Sequence, residues 1–183
     1  MFKKYIFPII LILAFIAVGY FIVRSKQEVN EKNQLPLPAT QNINEAESNQ
    51  ISQPQFLGEK GETADLIGEH VSIIADVFDD NLAHHYYTKL PNGKIIYFFV
   101  VKDKAGIYRA AADACQVCFD ARMGFRQEGN FMVCNACGNK YPLEKIATEK
   151  GGCNPGPINP NLEARDGKIF IKQSDLEQVS NFF

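Results

Sequence analysis

The sequence predicts a mainly β protein, in which a small antiparallel sheet carrying a cysteine hairpin follows one transmembrane helix and a disordered linker. Three observations predict this arrangement of the 183 residues. A charge-free apolar run opens the chain, a polar stretch without aromatic residues follows, and all five cysteines lie in the remainder. The expected boundaries are 1–26 for the anchor, 27–56 for the linker and 57–183 for the folded domain. The net charge of −2 provides no basic field for binding nucleic acid.

The N-terminal run from Tyr5 to Val23 has the length of a membrane span. Its 19 residues rise about 28 Å as a helix, close to the thickness of a bilayer core. A cleaved signal peptide is the alternative, but the run is longer than the usual apolar core and no small-residue cleavage site follows it. The amino terminus, Lys3 and Lys4 favour an inside N-terminus. We therefore expect a single-pass cell-membrane protein whose folded domain is extracytoplasmic.

Residues 27–56 are expected to form a tether between membrane and domain. They are rich in Asn, Gln, Glu, Ser and Pro, and the first aromatic residue is Phe56. Such a segment does not bury enough apolar surface to offset its conformational entropy. A leash that lets the domain reach a partner and a plain spacer are both consistent with this composition.

The sequence of the folded domain predicts consecutive strands joined by tight turns, which favours an antiparallel sheet. Asn92-Gly93 is a strong hairpin signal between two of the expected strands. The last ten residues, "SDLEQVSNFF", begin with Ser174 and have Glu177 three positions later, the capping-box pattern of a terminal helix. The runs expected as strands are "HVSIIADVF", "LAHHYYTKL", "KIIYFFVV", "IYRAAADA" and "GKIFIKQ".

Two C-x-x-C pairs, Cys115/Cys118 and Cys134/Cys137, are separated by 15 residues. Two-residue spacing turns both sulfurs of a pair toward one point, and two facing pairs complete a tetrahedron. Between the pairs, "GFRQ" and "FMV" flank the turn "EGN" and predict a hairpin like that of a zinc ribbon. Gly138 after the second pair permits a positive φ, which directs backbone N–H groups toward sulfur.

The alternatives to a metal site are two structural disulfides or a redox-active pair. A disulfide within C-x-x-C is strained and is usually redox-active. A c-type haem needs histidine after the second cysteine, where this chain has Phe119 and Gly138. Four thiolates suit zinc or an iron–sulfur cluster. Met123 and Met132 flank the hairpin and add Cu(I) as a less favoured candidate.

Cys153 is the unpaired fifth cysteine, in "GGCNPGP". Gly151 and Gly152 allow close backbone approach, while the prolines that follow stiffen the chain. An idle exposed thiol outside the cell is an oxidation hazard, so we expect Cys153 to lie within ligand or disulfide reach of the other four. The alternative is a free thiol elsewhere on the domain.

Three further polar side chains are candidates for a role in the folded domain. His84 and His85 are expected on opposite faces of one strand, as surface or packed residues rather than ligands. Asp113, two positions before Cys115, is expected to orient a backbone amide. The chain shows no Ser-His-Asp arrangement, phosphate loop or paired carboxylates, so we do not expect a conventional enzyme.

The segment from "YFFVVKDKAGIYRAAADAC" through "GGCNPGPI" resembles the FtrD-like family of membrane iron–sulfur proteins. The distinctive marks are D-A-C-x-x-C, the G-F step, V-C-x-x-C-G and G-G-C-N-P, within about residues 70–160. The resemblance implies a membrane-bound, cysteine-ligated protein associated with bacterial iron transport. The ligands that it implies are Cys115, Cys118, Cys134, Cys137 and Cys153.

The leading hypothesis is a membrane-anchored metal or iron–sulfur protein that transfers electrons or metal. Its expected partner is a membrane permease or a redox protein, linked to iron transport. The first alternative is a structural zinc module that presents a β surface for binding. The second is a thiol–disulfide oxidoreductase using one C-x-x-C pair.

Overall fold

The computed structural model of the chain describes residues 53–183. The expected anchor, 1–26, and all but the last four residues of the expected linker lie outside the described residues. Within 53–183, no helix has the length and apolar character needed to cross a membrane. The prediction of a mainly β domain with small antiparallel sheets is confirmed over this part of the chain.

The described residues form three sheets that are assembled from twelve short strands. The strands are β1 (Glu62–Thr63), β2 (Leu66–Ile67), β3 (His70–Ile74), β4 (His84–Lys89), β5 (Ile95–Lys102), β6 (Tyr108–Cys115), β7 (Phe125–Glu128), β8 (Phe131–Cys134), β9 (Lys140–Pro142), β10 (Pro155–Asn159), β11 (Glu163–Arg165) and β12 (Lys168–Lys172). One short α-helix, α1 (Gln173–Glu177), follows β12 in this range. The 3₁₀ helices are Ala75–Asp80, Phe119–Ala121, Leu143–Lys145 and Ser180–Phe182.

The central sheet has the order β1-β4-β5-β6-β10 and separates two hydrophobic cores. Side chains alternate between the faces of a strand. In β5, Phe98 and Val100 therefore enter the first core, and Phe99 and Val101 enter the second. Both faces of this sheet are covered, which explains why "IIYFFVV" contains no charged residue.

The other two sheets cover the two faces of the central sheet. The β11-β12-β3-β2 sheet contributes residues such as Ile73 and Ile171 to the first core. The β7-β8-β9 sheet contributes Phe125 and Met132 to the second core. Two cysteines, Cys115 and Cys134, belong to this second core as well. The cysteine hairpin is thus a layer packed on the central sheet.

The structure differs from the expected elements at several points. The first predicted strand ends at Ile74, and Ala75–Asp80 forms a 3₁₀ helix that buries Phe78 completely. The predicted capping box is wrong, because α1 begins at Gln173, whose N–H donates to the carbonyl of Glu69 (2.8 Å). The central sheet is antiparallel except where β1 pairs with β4 in parallel. Strands β9 and β10, beside the cysteines, were not expected.

Folded contacts begin before residue 57, the expected start of the domain. The side-chain amide of Gln53 exchanges two hydrogen bonds with the backbone of Ile95 (2.9 and 3.0 Å). Phe56 is buried and stacks on Tyr97, with ring centroids 4.1 Å apart. The last residues assigned to the linker therefore pack on the central sheet.

Candidate metal centre

The five cysteines reach one region of the domain from three segments of the chain. Cys115 ends β6, and Cys118 immediately precedes the 3₁₀ helix Phe119–Ala121. Cys134 ends β8, and Cys137 lies in the turn before β9. Cys153 lies in the loop before β10.

The pairing of β10 with β6 explains the position of Cys153. Pro155 lies opposite Cys115 in the antiparallel register. The N–H of Gln116 donates to the carbonyl of Asn154 (2.9 Å), which ties the loop to the first C-x-x-C. Cys153 is therefore placed beside the first pair by backbone pairing.

The five sulfurs form two groups of three. The sulfurs of Cys115, Cys118 and Cys153 all lie within 4.8 Å of one another, and so do those of Cys118, Cys134 and Cys137. All five cysteines are free thiols. The expected proximity of Cys153 to other cysteine sulfurs is confirmed, while metal ligation by these five residues stays a prediction.

The second C-x-x-C loop is organised for binding at sulfur. Gly138 has φ +74°, as its position predicted, and its N–H donates to the carbonyl of Cys134 (2.8 Å). The backbone N–H of Asn139 lowers the pKa of the Cys137 thiol. Burial raises the pKa of the Cys134 thiol to about 11, although the amides of Cys137 and Ala136 act in the opposite direction. The loop thus directs several N–H groups toward these two sulfurs.

The first C-x-x-C loop contacts the segment of Cys153 through its sulfur. The N–H of Cys118 approaches the sulfur of Cys115 at 3.4 Å, and the Cys115 thiol donates to the carbonyl of Cys153 (3.2 Å). Burial raises the pKa of the Cys118 thiol to about 12 and also raises that of Cys153, and neighbouring sulfurs add to both increases. These thiols keep their protons until a cation compensates the negative charge.

Exposure differs across the cluster. Cys115 and Cys134 are 3 % and 1 % exposed, whereas Cys137 is exposed to solvent. A cavity of about 10 Å³ is lined by residues that include Cys115, Cys118 and Cys134. This volume is close to that needed for one water molecule. The cluster therefore has a buried side and an open side, and this cavity does not fit an organic substrate.

Asp113 connects the hairpin to the central sheet beneath the cysteines. It is completely buried, and one carboxylate oxygen accepts the N–H of Phe125 (2.6 Å), which confirms the expected role in orienting an amide. The other oxygen lies 3.0 Å from Nδ1 of His85. Gly124 lies so close that an added Cβ would be 2.6 Å from the carboxylate.

His84, His85, Met123 and Met132 take different positions. Burial lowers the pKa of His85, but the Asp113 carboxylate raises it by more, and the result is above the usual value. His84 faces the opposite side of β4 and pairs with Asp80 (3.0 Å). Met132 is buried in the second core, and Met123 is exposed at the edge of the small cavity. Neither histidine belongs to the groups of potential metal ligands.

Soft thiol donors fit either zinc or an iron–sulfur centre. The family described as "Membrane iron-sulfur containing protein FtrD-like" matches residues 78–183, which is more than half of the chain and includes all five cysteines. The chain belongs to this family. No curated protein and no solved structure matches the chain.

Proposed function

We propose that this domain holds a thiolate-bound metal centre, an iron–sulfur cluster or zinc, and transfers electrons or metal at the membrane. Convergence of five free thiols from three segments is the observation that carries the proposal. Membership in a family described as membrane iron–sulfur proteins supports it. The proposed partner is a membrane permease or redox protein of an iron transport system, with residues 1–26 as the anchor and the domain outside the cytoplasm.

The cysteines would hold the centre, and the backbone around them would stabilise its charge. An iron–sulfur cluster supplies one-electron transfer when bound, with a potential set by hydrogen bonds to sulfur and by solvent exposure. Backbone N–H groups of Ala136, Cys137 and Asn139 point toward the sulfurs of the second pair. Exposed Cys137 gives a partner access to one side, while buried Cys115 and Cys134 shield the other.

A structural zinc site is the second candidate, and the β7-β8-β9 sheet favours it. A C-x-x-C turn between β8 and β9, with Gly138 at positive φ, is typical of the metal-binding turns of zinc ribbons. In that case the metal would stabilise the hairpin layer against the central sheet. The exposed surface of the domain would then carry the function.

Metal and sulfide analysis of the full-length protein tests the proposal. We expect protein purified without oxygen, in detergent, to contain metal, with a metal content that falls in Cys134→Ser and is unchanged in the control Met123→Leu. A brown protein with iron and acid-labile sulfide indicates a cluster, and a colourless protein with zinc indicates the zinc site. A metal-free protein that reduces disulfides would refute the proposal and support a thiol–disulfide oxidoreductase.

A further inference from the structure

The sulfur cluster consists of two overlapping triads. We define the first triad as Cys115, Cys118 and Cys153, and the second triad as Cys118, Cys134 and Cys137. Within each triad the three sulfurs lie within 4.8 Å of one another. The five sulfurs thus form two groups of three that share Cys118.

Each triad has the approximate spacing of three ligands on one ion. A tetrahedral ion with metal–sulfur bonds of about 2.3 Å holds its sulfurs about 3.8 Å apart. Sulfur–sulfur distances of no more than 4.8 Å in either triad are compatible with that spacing. A thiolate sulfur has more than one lone pair, so Cys118 is able to bridge two ions.

We propose that the five cysteines bind two soft divalent metal ions, one in each triad, with the Cys118 sulfur bridging them. The proposal rests on the metal binding proposed above and adds its stoichiometry. Six ligand positions, three for each ion, are then filled by five sulfurs. Cys153 is required because it completes the first triad.

Separate pieces of backbone support the two triads. The pairing of Pro155 with Cys115 holds the first triad at the β6–β10 edge of the central sheet. The turn between β8 and β9 holds the second, with the N–H of Cys134 donating to the carbonyl of Asn139 (2.9 Å). Cys118 lies between them, at the start of a 3₁₀ helix.

Charge favours divalent ions over monovalent ones. Five thiolates carry a formal charge of −5, so two divalent ions leave −1 and two monovalent ions leave −3. Residual charge is costly here because Cys115 and Cys134 are almost completely buried. Three protein ligands also leave each ion with one open position, a property of sites that react or exchange rather than of closed structural sites.

Counting ions per chain tests the proposal. The full-length chain in detergent, handled without oxygen, is analysed by native mass spectrometry as isolated and after addition of Zn(II). The concentration of a competing chelator is chosen so that a site with only two thiolates stays empty. We expect two ions in the unmodified chain, one in Cys137→Ser, one in Cys153→Ser and none in Cys118→Ser.

The substitutions at partly exposed Cys137 and Cys153 provide the decisive comparison if Cys118→Ser does not fold. Each breaks one triad and leaves the other complete, and circular dichroism checks that both variants are folded. One ion in the unmodified chain, unchanged in Cys153→Ser, would overturn the inference in favour of a four-thiolate site. No ion in any sample, before or after Zn(II), would refute the proposed function itself.

Discussion

Substitution of Asp113 should best distinguish an effect on the metal centre from an effect on overall stability. Its carboxylate accepts the N–H of Phe125 at the start of β7 and pairs with His85 of β4. Replacement by alanine leaves two buried polar groups without their partner, at about 1–3 kcal/mol each, or about 2–6 kcal/mol in total. Asp113→Asn retains one acceptor and should cost about 1.5–3 kcal/mol, the value of one hydrogen bond to a charged group. Because β7 pairs with β8, with Phe125 opposite Cys134, the second C-x-x-C should shift relative to the first.

Asp103 provides the matched control. It is also a buried carboxylate, it pairs with Arg109 (2.9 Å), and it accepts the N–H groups of Ala105 and Ile107. Arg109 lies six positions before Cys115 in β6, a separation of about 20 Å along a strand. Asp103→Asn should therefore lower the free energy of unfolding by a similar amount without moving the cysteines.

The assay compares metal release with stability in the same samples. Denaturant unfolding gives the loss of stability, and the rate of metal transfer to a chelator under native conditions reports the centre. We expect faster release and an altered visible or metal-substituted spectrum for Asp113→Asn, and unchanged values for Asp103→Asn. Equal release rates for the two variants at equal stability loss would show that hydrophobic packing alone positions the hairpin.

Four further outcomes are expected. Gly124→Ala should lower the free energy of unfolding by at least about 1–2 kcal/mol, because its φ of +63° disfavours a side chain and the new Cβ would clash with the Asp113 carboxylate. Metal release should also become faster, and metal release as slow as in the unmodified protein would contradict this. Removing the metal should lower the thermal midpoint strongly, since thiolate sites supply on the order of 10 kcal/mol; a shift of a degree or two would argue against coupling to folding. Burial raises the pKa of Asp103, but the Ile107 amide and Arg109 lower it by more, to below the usual value. The stabilisation that ionised Asp103 provides should therefore be complete above about pH 4 and lost as the pH falls through its folded-state pKa. If the loss of stability at acid pH is unchanged in Asp103→Asn, this expectation is wrong. A reporter fused after Phe183 should be extracytoplasmic in intact cells, and a cytoplasmic reporter would refute the proposed topology.

The sequence predicted the elements whose signals are local. The hairpin of β4 and β5 follows from Asn92-Gly93, and the β7–β8 hairpin follows from its apolar pattern around the turn. The positive φ of Gly138 follows from its place after C-x-x-C. These features depend on residues that are close in the sequence, so the local sequence is sufficient to predict them.

The elements that were not predicted depend on contacts between distant residues. "PGPIN" contains two prolines, which usually argue against a strand, yet β10 is the edge strand of the central sheet, where missing N–H groups are tolerated. The partners His85 and Asp113 are 28 positions apart, so no local pattern reveals their pairing. The start of α1 is set by a bond to Glu69, far away in the sequence, rather than by its own capping residues.

The position of the cysteines in the second core links metal binding to packing. Cys115 and Cys134 lie among Phe99 and Phe125, between the central sheet and the hairpin layer. Bringing the hairpin onto the sheet therefore buries apolar surface and assembles ligands in the same step, so the two contributions reinforce each other. Cys137 is exposed and contributes little to this packing. Any exchange of metal or electrons should consequently proceed through the side of Cys137, because opening the Cys115 side would require separating the two layers of the domain.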